Sequence, residues 1–487
     1  MHRILSTLAV ALLSASAALA VPPSALDLPQ IGEPADNTLS PTQEKQLGSR
    51  VMAQLYAGGY ILEDPEITDY ISTMGWKLAA ASSTAPPPLT FFVVNDRRIN
   101  AFALPGGFIG FNAGLLLAAD HESEVAGVMG HELAHVTQRH IARTAEDTEV
   151  ANVATWLAVI AAIIAGSADP DVVIGALSLG QTLSYQRQVS YTRAHEQEAD
   201  RIGILTMSKA GYDPDSMASF FQKLEQQSRL YGGGIPEILR THPLNTNRVA
   251  EARARAAEMP AVKRVDPVEF GLMRARTRVL SAERPSIAVD HFAGKLGAGQ
   301  DDAEIRYGLA LALAELGQYA RAKDTLDPLV EKYPKQVNVQ LLAGQLQMWT
   351  GDSAGGLATL ERMIRLYPRY APAILAYAEG LMAARRPEDA RQVLLSHEQA
   401  LGVQLQTYSL LAQAARESGN MAEASYQMAS YLFLRGDAGN ALAQLDAGLR
   451  LPDLDAKQRA RLLAKRKEVR DSLPSNWRPP GERGRAT

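Results

Sequence analysis

The chain has 487 residues, too many for one ordinary core, so two or three domains are expected. Hydrophobic residues make up 46% and charged residues 21%, a balance that fits a folded soluble protein better than a disordered chain or a multi-span membrane protein. A formal net charge of −4 argues against nucleic acid as a partner, and the absence of cysteine excludes disulfides and cysteine-linked lipid.

Met1-His2-Arg3, the apolar run Ile4 to Leu13 and the small-residue site Ala18-Leu19-Ala20 describe a cleaved signal peptide over 1–20. A leader without an anchor points to the bacterial periplasm. A polar, proline-rich linker is expected over 21–41. Thr42 to Met74 has helical spacing, and Leu89 to Val94 reads as a short strand after Pro86-Pro87-Pro88. Asn100 to Ile109 reads as a strand, a Pro105-Gly106-Gly107 turn and a second strand. His121 to Ile141 reads as one helix. Val150 to Ala165 is almost wholly apolar but shorter than the ~20 residues that span a bilayer. A buried helical hairpin over the active site is the expectation there, and peripheral membrane contact through 150–180 stays open. Helices are expected over Arg193 to Lys209, ending before Gly211, and over Met217 to Leu230. Thr241-His242-Pro243-Leu244 marks a turn before a helix through Ala257.

Met259-Pro260 to Pro267 reads as a domain boundary. Beyond it, Gly317, Gly351, Arg385 and Gly419 recur every 34 residues, as do Tyr333-Pro334 and Tyr367-Pro368. Small residues keep the same step: Ala310, Gly344, Ala378 and Ala412, then Ala322, Gly356, Ala390 and Ala424. A helix-turn-helix of that period is the tetratricopeptide signature, with small residues where paired helices approach closely. Pro285 to Leu296 and Ala438 to Arg470 extend or cap the array. The expected fold is mainly α: an α+β domain with a small sheet over 42–260, an all-α repeat domain over 268–471, and a disordered tail over 472–487.

The chemistry centres on His131-Glu132-Leu133-Ala134-His135. Residues four apart share a helix face, so His131 and His135 aim two imidazoles at one point. Glu132, beside the first ligand, is placed to act as general base. Val125, Val128, Met129, Leu133 and Val136 make the helix apolar, and Gly130 and Ala134 permit close packing. A buried helix with two unpaired histidines is costly unless something binds them. Zinc needs a third ligand, which Glu196 offers, with Asp200 one turn later to fix a ligand imidazole by a hydrogen bond. Glu198 reads as solvated or paired with Arg201. His140 reads as solvated or facing the helix dipole, and His121, His195, His291 and His397 receive the same reading.

HELAH, EQEADRIG and THPLNTNR together resemble the M48 family of zinc metallopeptidases, over about Thr42 to Ala257. The resemblance implies a zinc-dependent endopeptidase with one Zn2+ held by His131, His135 and Glu196, and with Glu132 and Asp200 completing the catalytic set. It implies a place for His242 near the metal, as fourth ligand, as transition-state stabiliser, or as a plain turn residue. It also implies a substrate-binding edge strand at Asn100, Ala101, Phe102 and Ala103, which would pair with a substrate backbone. With leader and repeats added, the chain resembles periplasmic proteases of outer-membrane protein quality control and assembly. The implied partners are unfolded or misassembled outer-membrane proteins and the β-barrel assembly machinery. The competing reading is a non-enzymatic chaperone or scaffold with a structural zinc.

Overall fold

A computed structural model describes residues 39–147, 193–231, 236–242, 246–262, 265–402 and 404–473. The expected leader, the linker up to residue 38, the segment 150–180 with its apolar run, and the tail from 474 lie outside the described residues. No helix among the described residues is long and apolar enough to cross a membrane.

Helix α1 spans Pro41–Ala57 and α2 spans Pro65–Ala81. The expected single helical stretch is thus two helices. Gly59, at φ 68°, turns the chain after α1, and Pro65 opens a new helix whose N-cap is Asp64. Ser40 and Gln43 form a reciprocal capping box at the start of α1. Strands β1 (Thr90–Val94), β2 (Ala101–Leu104) and β3 (Phe108–Asn112) form one sheet in the order β1-β3-β2. β1 runs parallel to β3, and β2 antiparallel to it with Ala103 opposite Ile109. Alternation assigns the two faces. Phe92, Val94, Phe102, Leu104 and Phe108 pack on α1 residues Val51, Met52 and Leu55. Phe91, Val93, Ala101, Ala103, Ile109 and Phe111 join the main core.

Among the described residues the first region also holds α3 (Ala113–Ala118), α4 (Glu122–Thr137), α5 (His140–Asp147), α6 (Arg193–Lys209), α7 (Asp215–Tyr231), α8 (Glu237–Thr241) and α9 (Thr246–Ala257). The expected continuous helix from His121 to Ile141 is broken. Arg139 takes φ 50°, a left-handed conformation uncommon outside glycine, and α5 leaves in a new direction.

The repeat region runs through α10 (Val268–Leu280), α11 (Pro285–Gly297), α12 (Ala303–Glu315), α13 (Tyr319–Lys332), α14 (Val337–Trp349), α15 (Ser353–Leu366) and α16 (Ala371–Ala383). It continues as α17 (Pro387–Ser396), α18 (Glu398–Leu401), α19 (Leu405–Glu417), α20 (Met421–Leu434), α21 (Ala438–Leu449) and α22 (Ala456–Asp471). Gly317, Gly351, Arg385 and Gly419 all sit just past the first helix of a pair, at φ 72°, 96°, 60° and 82°. The 34-residue period is therefore a period of left-handed turns. Ala310, Ala322, Ala378, Ala390 and Ala412 are fully buried at the crossings. A Cβ on Gly356 would lie 2.9 Å from the Gly344 carbonyl.

One apolar core continues from Leu62 through Leu346, so the first repeats share it with the sheet and α4. A buried polar junction ties the two regions. Arg276 of α10 donates to Asp64 at 2.7 and 2.8 Å and to Tyr307 Oη at 3.0 Å, and its Nη1 lies 2.7 Å from Glu66 Oε1. Asn338 of α14 donates to Glu66 at 2.8 Å. At the far end of the array Arg435 donates to the Tyr56 carbonyl at 3.1 Å.

Candidate metal centre

Helix α4 carries His131, Glu132 and His135, all buried. Helix α6 crosses it where glycine meets glycine: a Cβ on Gly130 would lie 3.2 Å from the Gly203 carbonyl, and one on Gly203 only 3.0 Å from His131 N. That close crossing brings Glu196 and Asp200, one turn apart on α6, against the two imidazoles. A further histidine arrives from a separate segment. His242 stands just past α8, and its backbone N–H donates to Ile238 O at 2.9 Å.

His131, His135, Glu196 and His242 each offer one ligand atom, and the four atoms lie within 4.8 Å of one another. His131 Nε2 is 3.0 Å from His135 Nε2, 3.3 Å from His242 Nδ1 and 3.5 Å from Glu196 Oε2. Glu196 Oε1 is 2.9 Å from His242 Nδ1 and 3.4 Å from His135 Nε2. Tetrahedral zinc with ligands at about 2.0–2.1 Å sets neighbouring ligand atoms roughly 3.3 Å apart, so the donor set fits. Charge agrees. Three buried carboxylates, those of Glu132, Glu196 and Asp200, converge on this point, an environment that favours a cation. Among the described residues both carboxylate oxygens of Glu132 are buried without a hydrogen-bond partner, and His242 Nε2 stands 3.4 Å from one of them.

Further contacts hold His131 and Glu196 in place. Asp200 Oδ1 is 2.9 Å from His131 Nδ1, which leaves Nε2 free to face the ligand point. Arg248 of α9 donates to both oxygens of Asp200 at 2.8 Å, and its Nη1 lies 2.8 Å from Glu196 Oε2. Phe221 of α7 packs edge-on to His131 and under the Arg248 guanidinium. Burial opposes charge on His131, yet its hydrogen bonds to Asp200 and Glu196 hold its pKa up to about 10. Burial pushes His135 well below the usual range, reinforced by His131 and His242. Burial alone would raise Glu196, but the surrounding histidines hold it well below the usual carboxylate range.

Several expectations are corrected here. His140 is fully buried, not solvated: its Nδ1 lies 2.9 Å from His135 Nδ1. Glu198 is not paired with Arg201; it meets His140 Nε2 at 3.1 Å and Arg143 at 3.0 Å. His195 is buried and stacks on His140, with ring centroids 4.4 Å apart. His121 and His397 need no such correction: the His121 side chain is 38% exposed and faces Asp266 at 2.7 Å, and His397 caps its helix end with Nδ1 2.9 Å from the Val393 carbonyl. The break at Arg139 explains the first three, because helical periodicity carried His140 away from His135. Arg248 stands in the THPLNTNR segment, but nothing in its spacing showed that it would bridge Glu196 and Asp200.

Ala101, Phe102 and Ala103 lie in β2, and Asn100 directly precedes it. Among the described residues no strand pairs with the outer edge of β2. The Ile238 N–H donates to the Ile99 carbonyl at 3.3 Å, so the segment leading to His242 stands beside the start of this strand.

Residues 65–256 match the family model described as peptidase family M48, and residues 279–346 match a tetratricopeptide repeat. The chain is 32% identical over 481 residues to the β-barrel assembly-enhancing protease of Escherichia coli strain K12, covering 98% of each. A protein of Vibrio cholerae named as a β-barrel assembly-enhancing protease is 38% identical over 314 residues, covering 63% of this chain and 64% of that one. The mitochondrial metalloendopeptidase OMA1 of Arabidopsis thaliana is 35% identical over 156 residues, 32% of this chain and 29% of its own.

Proposed function

Because the chain belongs to the M48 family of zinc metallopeptidases, we propose that it hydrolyses outer-membrane β-barrel proteins in the periplasm, using Glu132 as base and His131, His135 and Glu196 as ligands. The observation that carries this reading is the buried carboxylate of Glu132, without a hydrogen-bond partner among the described residues, beside a convergent set of possible ligands. A purely structural metal needs no such group, which is why the scaffold reading is not favoured.

When bound, zinc supplies the Lewis acidity that polarises a peptide carbonyl and activates water. Glu132 takes the proton from the attacking water and delivers it to the leaving amine nitrogen, so no acyl-enzyme forms. Asp200 holds the His131 tautomer, and Arg248 holds Glu196 and Asp200 in place. The outer edge of β2 offers backbone groups to an extended substrate, a mode that reads shape more than sequence and suits clients with exposed strands. His242, whose Nδ1 lies 2.9 Å from Glu196 Oε1 and 3.3 Å from His131 Nε2, would help hold the metal and so serve as a latch that substrate must displace.

The periplasmic assignment is supported by the leader read in 1–20 and by the name of the Escherichia coli relative. That name also supports outer-membrane clients, with the β-barrel assembly machinery as the expected meeting place. The test is zinc content and cleavage of an unfolded outer-membrane protein by the purified full chain. About one zinc per chain and cleavage lost by ~10²–10⁴-fold in Glu132→Gln, with zinc retained, is the expected result. Undiminished proteolysis by that variant removes Glu132 as the base.

A further inference from the structure

We propose that His140 is a positioning residue for the ligand His135, fixing its tautomer through a relay that ends on Glu198. On an unbroken helix, residue 140 would stand about 140° around the axis from residue 135 and point elsewhere. The left-handed Arg139 turns the chain back, and brings His140 Nδ1 to 2.9 Å from His135 Nδ1. Arg139 is held in turn by its own contacts, donating to the Leu39 carbonyl at 2.8 Å.

Among the described residues the relay has one consistent proton assignment. His135 turns Nε2 toward the ligand point, so its Nδ1 carries the proton and donates. His140 Nδ1 must then accept, which places the His140 proton on Nε2. That N–H meets Glu198 Oε2 at 3.1 Å, an acceptor also held by Arg143 at 3.0 Å. His195 stacks on the His140 ring at an interplanar angle of 11° and fixes its plane. The two histidine ligands are thus supported differently: His131 directly by the Asp200 carboxylate, His135 through a neutral imidazole.

The inference rests on His131, His135 and Glu196 being zinc ligands. The test is the zinc affinity of the purified full chain, read by competition with a chromophoric chelator, alongside thermal unfolding of the metal-free protein. His140→Leu removes the acceptor and should weaken zinc binding by about 10–100-fold. His140→Asn keeps an acceptor, Oδ1, on the same branch of Cγ and should restore most of the affinity. Glu198→Lys replaces the acceptor with a donor, forces the opposite His140 tautomer, and should cost about tenfold. It carries the test alone if the Leu variant does not fold. Wild-type affinity in the Leu or Lys variant overturns the proposal. So does an Asn variant as weak as Leu, with metal-free unfolding lowered in both, which would make His140 a packing residue. A wild-type chain that binds no zinc would instead sink the ligand assignment itself.

Discussion

Gly203 is the position where a single methyl should disturb the metal centre without touching a ligand side chain. Its added Cβ would lie 2.9 Å from Met217 Cε, 3.0 Å from His131 N and 3.1 Å from Gly130 C. The tip of Met217 can swing aside, but the α4 backbone cannot. Helices α4 and α6 must therefore part by a few tenths of an ångström, and Glu196 moves with α6. Overpacking of this kind costs about 1–3 kcal/mol. Replacing a helical glycine by alanine returns about 1 kcal/mol of propensity, so Gly203→Ala should lose roughly 0–2 kcal/mol. Gly203→Val regains less propensity and adds two more carbons against the same backbone, so its loss is larger. Ligand sets tolerate about 0.5 Å of error, and zinc affinity should fall about tenfold or more in the Val variant. Urea unfolding of the metal-free chain and chelator competition measure the two effects. A Val variant that binds zinc like wild type and unfolds within about 0.5 kcal/mol of it would refute the crossing argument.

Arg276→Leu leaves Asp64 and Glu66 buried without their cation and should destabilise the chain by about 3–5 kcal/mol, measured by urea unfolding at pH 8. Burial raises the Glu66 pKa from 4.5 to about 7, against the pull of Arg276 and Asn338. The folded state therefore keeps a proton that the unfolded state has lost, and stability falls as pH rises from about 4.5 to about 7. Glu66→Gln should flatten that slope, at most about 1.4 kcal/mol per pH unit, in unfolding curves taken across the window. His242→Ala should raise cleavage of an unfolded substrate if the latch operates; lost cleavage would favour transition-state stabilisation instead. Arg385 occupies a left-handed turn where the other repeats have glycine, so Arg385→Gly should be neutral or stabilise by up to about 1 kcal/mol in thermal unfolding.

The sequence by itself determined what depends on local spacing. Four-residue steps put His131 with His135 and Glu196 with Asp200, because one helical turn repeats the face. The 34-residue recurrence of Gly317, Gly351, Arg385 and Gly419 marked the repeats, because each left-handed turn needs a residue that tolerates positive φ. Tertiary structure decided what depends on the meeting of elements remote in the chain. The Gly130–Gly203 crossing sets how closely Glu196 approaches the imidazoles, and the placement of α8 and α9 brings His242 and Arg248 to the same point. The reversal at Arg139 gave His140 and Glu198 partners that periodicity had assigned to solvent. Periodicity extrapolates a regular backbone, and a single residue out of the helical region redirects every side chain after it.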